Sequence, residues 1–216
     1  MKTFAALVTV ALLAGCVSID LGKEPAAHAH LSLRDVGAPV SRRADPIVDA
    51  LLVQPQPGDA VADTLAIAYS RRADEYAFYQ LASWTERPVR QLPRLLQRRL
   101  EARGVARAVG LVGDPLRADW LLAISIDELY HDVSSPPGVA RIALTADLFD
   151  RRTRTRVAHE RFASTAPTPT ADSSAAAEAL SLATAHAFDE LVPWLESNLQ
   201  HAATGLSGHK NETATH

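Results

Sequence analysis

The sequence predicts a fold of the α/β (mixed α+β) class: a single mixed β-sheet covered by two main helices, behind an N-terminal export signal. Three observations carry this. Short runs alternate apolar with other residues, as in HLSLRDV (30–36) and VARIALTADLF (139–149), the two-residue period of a strand. Two longer stretches, one over 88–103 and one after residue 172, space their apolar residues three and four apart, the period of a helix face. Strand and helix signals also interleave along the chain.

The first element is the export signal. Met1 and Lys2 form a short basic start, and Phe4 to Leu13 carries no charge. That run is too short to cross a bilayer, which takes about 20 residues, and has the length of a signal-peptide apolar region. It closes on Leu13-Ala14-Gly15-Cys16, which resembles the bacterial lipobox. In that motif small residues fit the signal peptidase and the thiol takes a diacylglyceryl group. Residues 1–15 are therefore expected to be removed, Cys16 to be lipidated, and 16–29 to form a tether. Cys16 is the chain's only cysteine, so no thiol remains for a disulfide, a zinc site or a nucleophile. Val17 follows it rather than aspartate, which favours the outer membrane over retention at the inner one.

A domain is expected over 30–199. After HLSLRDV, a candidate strand begins at Asp49–Val53 and is ended by Pro55 and Pro57. TLAIAY (64–69) and EYAFYQLASW (75–84) flank a polar turn and read as a hairpin. The second of these strands has apolar bulk on both faces, which predicts burial on both sides. Pro88 to Arg103 reads as a helix with Val89, Leu92, Leu96 and Leu100 on one face and Arg87, Arg90, Arg94 and Arg98 opposite. Pro93 suggests a late start or a bend, and Gly104 is a good stop. If the strands on either side of this helix are parallel, the crossover is right-handed.

Val105–Val112 and Asp119–Leu129 read as strands, the second mostly buried. Pro136-Pro137-Gly138 separates it from Val139–Phe149, and a charged turn at 150–154 leads into a partner strand over 156–163. The second helix is capped by Asp172 or Thr170 and carries a stripe of Leu180, Thr184, Ala187, Phe188, Leu191 and Leu195, with Pro193 expected to kink or tighten its last turn. Residues 200–216 hold glycines, histidines and small polar residues and read as a disordered tail.

The chain has 216 residues, 47% of them apolar, enough for one globular core. Its net charge of −3 is not the footprint of a nucleic-acid binder. No nucleophile elbow, phosphate loop, zinc-protease pair or dinucleotide fingerprint occurs. His28-x-His30 places two imidazoles on one strand face, but no third ligand is spaced nearby, so neither a metal nor a cofactor is expected. Asp127, Glu128, His131 and Asp132 cluster at a strand end. In regular extended chain Asp127 and His131 share a face, which keeps open a lipid-tethered periplasmic enzyme. The arginine stripe at 87–98 could meet anionic headgroups or an acidic partner, or simply face water.

Residues 71–103 (RRADEYAFYQLASWTERPVRQLPRLLQRRLEAR) resemble the auxiliary lipoproteins of ABC-type transport systems, the PqiC-like family. Tyr76, Tyr79, Trp84, Pro88, Leu95, Leu96, Leu100 and Gly104 carry the likeness. Ala118-Asp119-Trp120-Leu121-Leu122, the hairpin over 140–162 and an alanine-rich helix ending with Trp194 extend it. The turn at 150–154 lacks the glycine often found there in the family. The resemblance implies a non-enzymatic lipoprotein at the outer membrane, serving a lipid transport system built on MCE-domain proteins and ABC transporter subunits. Contact with phospholipid and a homo-oligomer fit such a role. A further alternative is an assembly lipoprotein of another envelope complex.

Overall fold

The computed structural model describes residues 27–39 and 41–212, with side chains to Thr204. The elements follow as β1 (Ala29–Leu31), β2 (Val48–Pro55), a 3-10 turn (Ala60–Asp63), β3 (Ala66–Arg72), β4 (Glu75–Trp84), α1 (Pro88–Arg103), β5 (Ala106–Leu111), β6 (Trp120–Asp132), β7 (Val139–Asp150), β8 (Thr155–Pro167) and α2 (Ser173–Glu212). The mixed sheet with two long helices is the architecture expected from the periodicity.

Strand β6 organises the sheet. One edge is shared: its first half takes β2 in parallel, Leu51 opposite Trp120, and its second half takes β3 in parallel, Tyr69 opposite His131. Its other edge pairs antiparallel with β7 from Trp120 to Asp132. Outward from these lie β5 on β2, β4 on β3, β8 on β7, and β1 on the last three residues of β4. The sheet does not close.

Between β2 and β3 the chain stays on β6. The Gln56 N–H donates to the Ile124 carbonyl and the Asp59 N–H to the Ile126 carbonyl, both at 2.8 Å. Gly58 lies so close to this strand that a Cβ would stand 2.2 Å from the Ile126 oxygen. Only glycine allows that approach.

Helix α1 starts at Pro88 rather than later, and Pro93 lies within it. The N–H groups of Arg90 and Gln91 close the first turn on the Arg87 carbonyl, and Pro88 at the first position has no donor to lose. Gly104 ends the helix at φ 72°, its N–H reaching the Leu100 and Glu101 carbonyls. The strands flanking α1 run in opposite directions through the sheet, so no parallel crossover arises there.

Both helices pack on one face of the sheet. Leu92, Leu96 and Leu100 of α1 and Leu180, Ala187, Phe188, Leu191 and Leu195 of α2 join Leu51, Leu122, Leu144 and Leu148 in one core. Seven buried alanines between Ala175 and Ala187 let α2 lie close to the sheet. Asp172 caps it, accepting from the Ser174 and Ala175 N–H groups, while the Thr170 hydroxyl donates to Asp172.

Three expectations are corrected. Strand β1 is three residues long, not seven, because the chain leaves β4 after Leu31, although Leu33 is still fully buried. Strand β4 is not buried on both sides: Tyr76, Phe78 and Leu81 stand exposed on it. The helix runs on past Pro193, and the backbone stays helical through 200–212, where a disordered tail was expected. The apolar stripe continues through Leu199 to Ala202, which packs on the core. The turn at 150–154 is made without glycine: Arg154 takes φ 60°, and the Asp150 carboxylate accepts from the Arg152 N–H.

Candidate functional site

The acidic and histidine cluster at the end of β6 does not assemble a reactive group. The register with β7 slips by one residue between Ile126 and Glu128, a β-bulge. The bulge reverses which residues face the core. Leu129 and His131 join Ile124 and Ile126 on the buried side, while Asp127 stays beside Ser125 and Thr145, whose hydroxyls donate to it at 2.9 and 2.6 Å. The expectation that Asp127 and His131 share a face is therefore overturned.

His131 is fully buried. Its Nε2 faces the Pro137 carbonyl at 3.1 Å and the Thr168 hydroxyl at 3.0 Å, so it carries the proton. Its Nδ1 accepts from the Tyr79 hydroxyl at 2.8 Å. Burial pushes the Tyr79 phenol up to about 12, with Asp172 adding to it, so the phenol remains a donor. Burial likewise lowers the imidazole below its ordinary value. Both nitrogens are thus engaged in joining β4, β6 and the segments before β7 and after β8. Glu128 pairs with Arg161 at 2.5 Å and Asp132 with Arg141 at 2.8 Å.

His28 and His30 stand 5.1 Å apart and share the Ser83 hydroxyl, at 3.0 and 3.1 Å. Among the described residues no three or more His, Cys, Asp or Glu side chains are arranged to hold a metal. Cys16 lies outside the described residues. No helix among those described is long and apolar enough to cross a membrane.

The arginine stripe of α1 faces outward. Arg87 pairs with Asp63 and Arg94 with Glu86, while Arg90 and Arg98 have no ion-pair partner among the described residues. Sequence reading does not reach the two arginines that matter to packing. Arg99, on the apolar side of α1, is buried against Asp35 and Asp189, with its guanidinium 5.5 Å from the Phe188 ring centre. One turn on, Arg103 holds Glu196 of α2 at 2.7 and 3.1 Å. The i, i+4 spacing on α1 meets i, i+7 on α2, so the pairs fasten the helices side by side.

The most distinctive surface lies on β4, and the sequence misjudged it as buried. Tyr76, Phe78 and Leu81 are 39%, 39% and 56% exposed. The Tyr130 ring of β6 meets Tyr76 edge-on at 5.2 Å. On the other side of the same strands Tyr69 and Tyr79 are 4.9 Å apart, with Arg71 over the Tyr69 ring at 5.2 Å. These are all four tyrosines of the chain, gathered at one end of the sheet.

Comparison with known proteins bears on this frame. Residues 32–192 match the model of a family described as the ABC-type transport auxiliary lipoprotein component. A crystal structure of a Xanthomonas campestris protein from the family DUF330 superposes with a TM-score of 0.71 at 23% identity, covering 80% of this chain and 99% of that one. A second crystal structure, of an uncharacterized protein, gives a TM-score of 0.57 at 13% identity, covering 77% and 99%. Both are likenesses of fold. No curated protein matches the chain in sequence.

Proposed function

The chain belongs to the ABC-type transport auxiliary lipoprotein component family, matched over residues 32–192, and from that membership we propose that it is a lipid-anchored, non-enzymatic docking or structural component of an MCE-type intermembrane lipid transport system. It is held at the outer membrane, facing the periplasm, through lipid on Cys16. Its partners are MCE-domain protein and ABC transporter subunits, with a homo-oligomer as a form in which it could meet them.

The observation that carries the non-enzymatic reading is His131. Both its nitrogens are spent on structural hydrogen bonds, and Asp127 lies on the opposite face of the sheet. What remains available among the described residues is surface: the face of the sheet that the helices leave open and the edge of β8, which pairs there with β7 alone along its 13 residues. Such surfaces suit assembly rather than turnover.

The test is affinity capture of the lipidated chain from detergent-solubilised envelopes. Recovery of MCE-domain protein together with transporter subunits is the expected result. Capture that never recovers either would overturn the transport role. Recovery of a different envelope complex would favour the assembly-lipoprotein alternative.

A further inference from the structure

We propose that the open aromatic face of β4 rests on the bilayer that holds the chain's own lipid anchor, and that the bilayer it fits is zwitterionic. The inference rests on the reading of Cys16 as lipidated and adds the surface and the kind of membrane it meets.

Strand direction is the first support. β1 pairs in parallel with the end of β4, Ala29 opposite Ala82. Ala27 and His28, which lead into β1, therefore lie toward Glu75–Leu81, the half of β4 that β1 leaves open among the described residues. His28 bonds Ser83, next to the start of that open half. Cys16 lies twelve residues before His28, and twelve residues reach at most about 40 Å. That reach lets an anchored Cys16 bring this end of the sheet to the lipid.

The second support is chemical. Tyr76, Phe78 and Leu81 expose apolar and aromatic surface along six residues of a strand whose other edge is open there among the described residues, and Tyr130 extends it. Tyrosine and other aromatics that combine an apolar ring with a polar rim favour the membrane–water boundary. Beside them the sheet end opens into a hollow of about 350 Å³ lined by Tyr69, Arg71, Phe78 and Tyr79.

Charge selects the bilayer. Asp59 and Asp74 have no ion-pair partner among the described residues and lie near enough to Tyr76 to act on its phenol. Arg71 and Arg72 at the end of β3 stand against three carboxylates, Asp59, Asp74 and Glu75, so the patch carries no basic excess. Carboxylates beside the aromatic group suit the ammonium groups of ethanolamine or choline lipids and are repelled by an anionic surface.

The experiment uses the full lipidated chain, in which Cys16 is blocked by its lipid and a single new cysteine takes an environment-sensitive fluorophore. Variants Phe78→Cys and Leu81→Cys report the face, and Val157→Cys on β8 is the reference. On phosphatidylcholine–phosphatidylethanolamine vesicles, labels at 78 and 81 should shift to the blue and be quenched by nitroxide lipids, while the label at 157 does neither. Replacing much of the lipid with phosphatidylglycerol should weaken the shift. Chains that float with vesicles while labels at 78 and 81 stay in water overturn the inference and leave the anchor standing. Labels that stay in water on vesicles but are shielded when solubilised transport subunits are added assign the face to a protein and also overturn it. Chains that do not float at all overturn both readings.

Discussion

Arg99 meets Asp35 in a bidentate fork, Nε to Oδ2 and Nη2 to Oδ1, both at 2.7 Å. Its remaining nitrogen reaches Asp189 and the Ala185 carbonyl. One side chain of α1 thereby ties the segment after β1 to α2. Burial opposes the charge, but the Asp35 hydrogen bond leads the contributions that raise the guanidinium above its ordinary value. Gly37 makes room for the fork, since a Cβ there would collide with Nη2.

Replacing Arg99 with Met strands the Asp35 carboxylate, and breaking such a pair from one side costs about 3 kcal/mol, a fall in Tm of roughly 6–12 °C. Asp189→Asn should cost less than about 1 kcal/mol, because that side chain is half in water. Thermal and urea unfolding of the two variants check the contrast. Equal losses would show that the Asp35 fork is not the dominant contact.

Stability should fall as pH drops through the ordinary histidine range. Burial, the largest influence on His131, lowers its pKa from 6.5 in the folded chain. The unfolded chain then binds a proton that the folded one refuses, so the loss begins near pH 6.5 and continues down to the folded value. His131→Gln should flatten the urea midpoint between pH 7.5 and 5.5. Tyr79→Phe removes the donor to Nδ1 and should cost about 1 kcal/mol at neutral pH.

Gly58→Ala should destabilise by about 2 kcal/mol or more, because the added methyl meets the backbone of β6 and not a side chain that could move. The same change at Gly104 should cost about 1 kcal/mol through its left-handed conformation alone. Arg154→Gly acts in the opposite direction, relieving a positive φ while freeing the unfolded chain, for a gain of about 0.5 kcal/mol. Urea denaturation at constant pH orders the three.

Cys16→Ser should move the chain from the membrane fraction to the soluble periplasm with its far-ultraviolet dichroism unchanged, since the core of the described residues is built from Ala29 onward. Mass spectrometry of the parent chain should find Cys16 as the acylated N-terminal residue. A bare sulfur with Met1 still attached would remove the anchor.

Elements whose stability is local could be read directly. Pro88, the leucines at 92, 96 and 100, and Gly104 define α1 because they act within a turn or two of one another. Glu75–Trp84 and the hairpin of β7 and β8 follow from alternation and turn residues in the same way. The family resemblance rests on the order of such elements, and the match over 32–192 supports it. Burial and partnership were not local. Arg99 finds its carboxylates 64 and 90 residues away, so its place in the core left no mark on its neighbours. A one-residue bulge at Asp127 carried His131 to the other side of the sheet, and no spacing rule announces a bulge. Apolar residues on both faces of β4 said nothing about which face a helix would cover. Short-range backbone preferences and side-chain period build the pieces; strand register and the cover over each face come from contacts between distant parts of the chain, and these turned a possible reactive pair into a structural histidine and an expected core strand into an exposed aromatic surface.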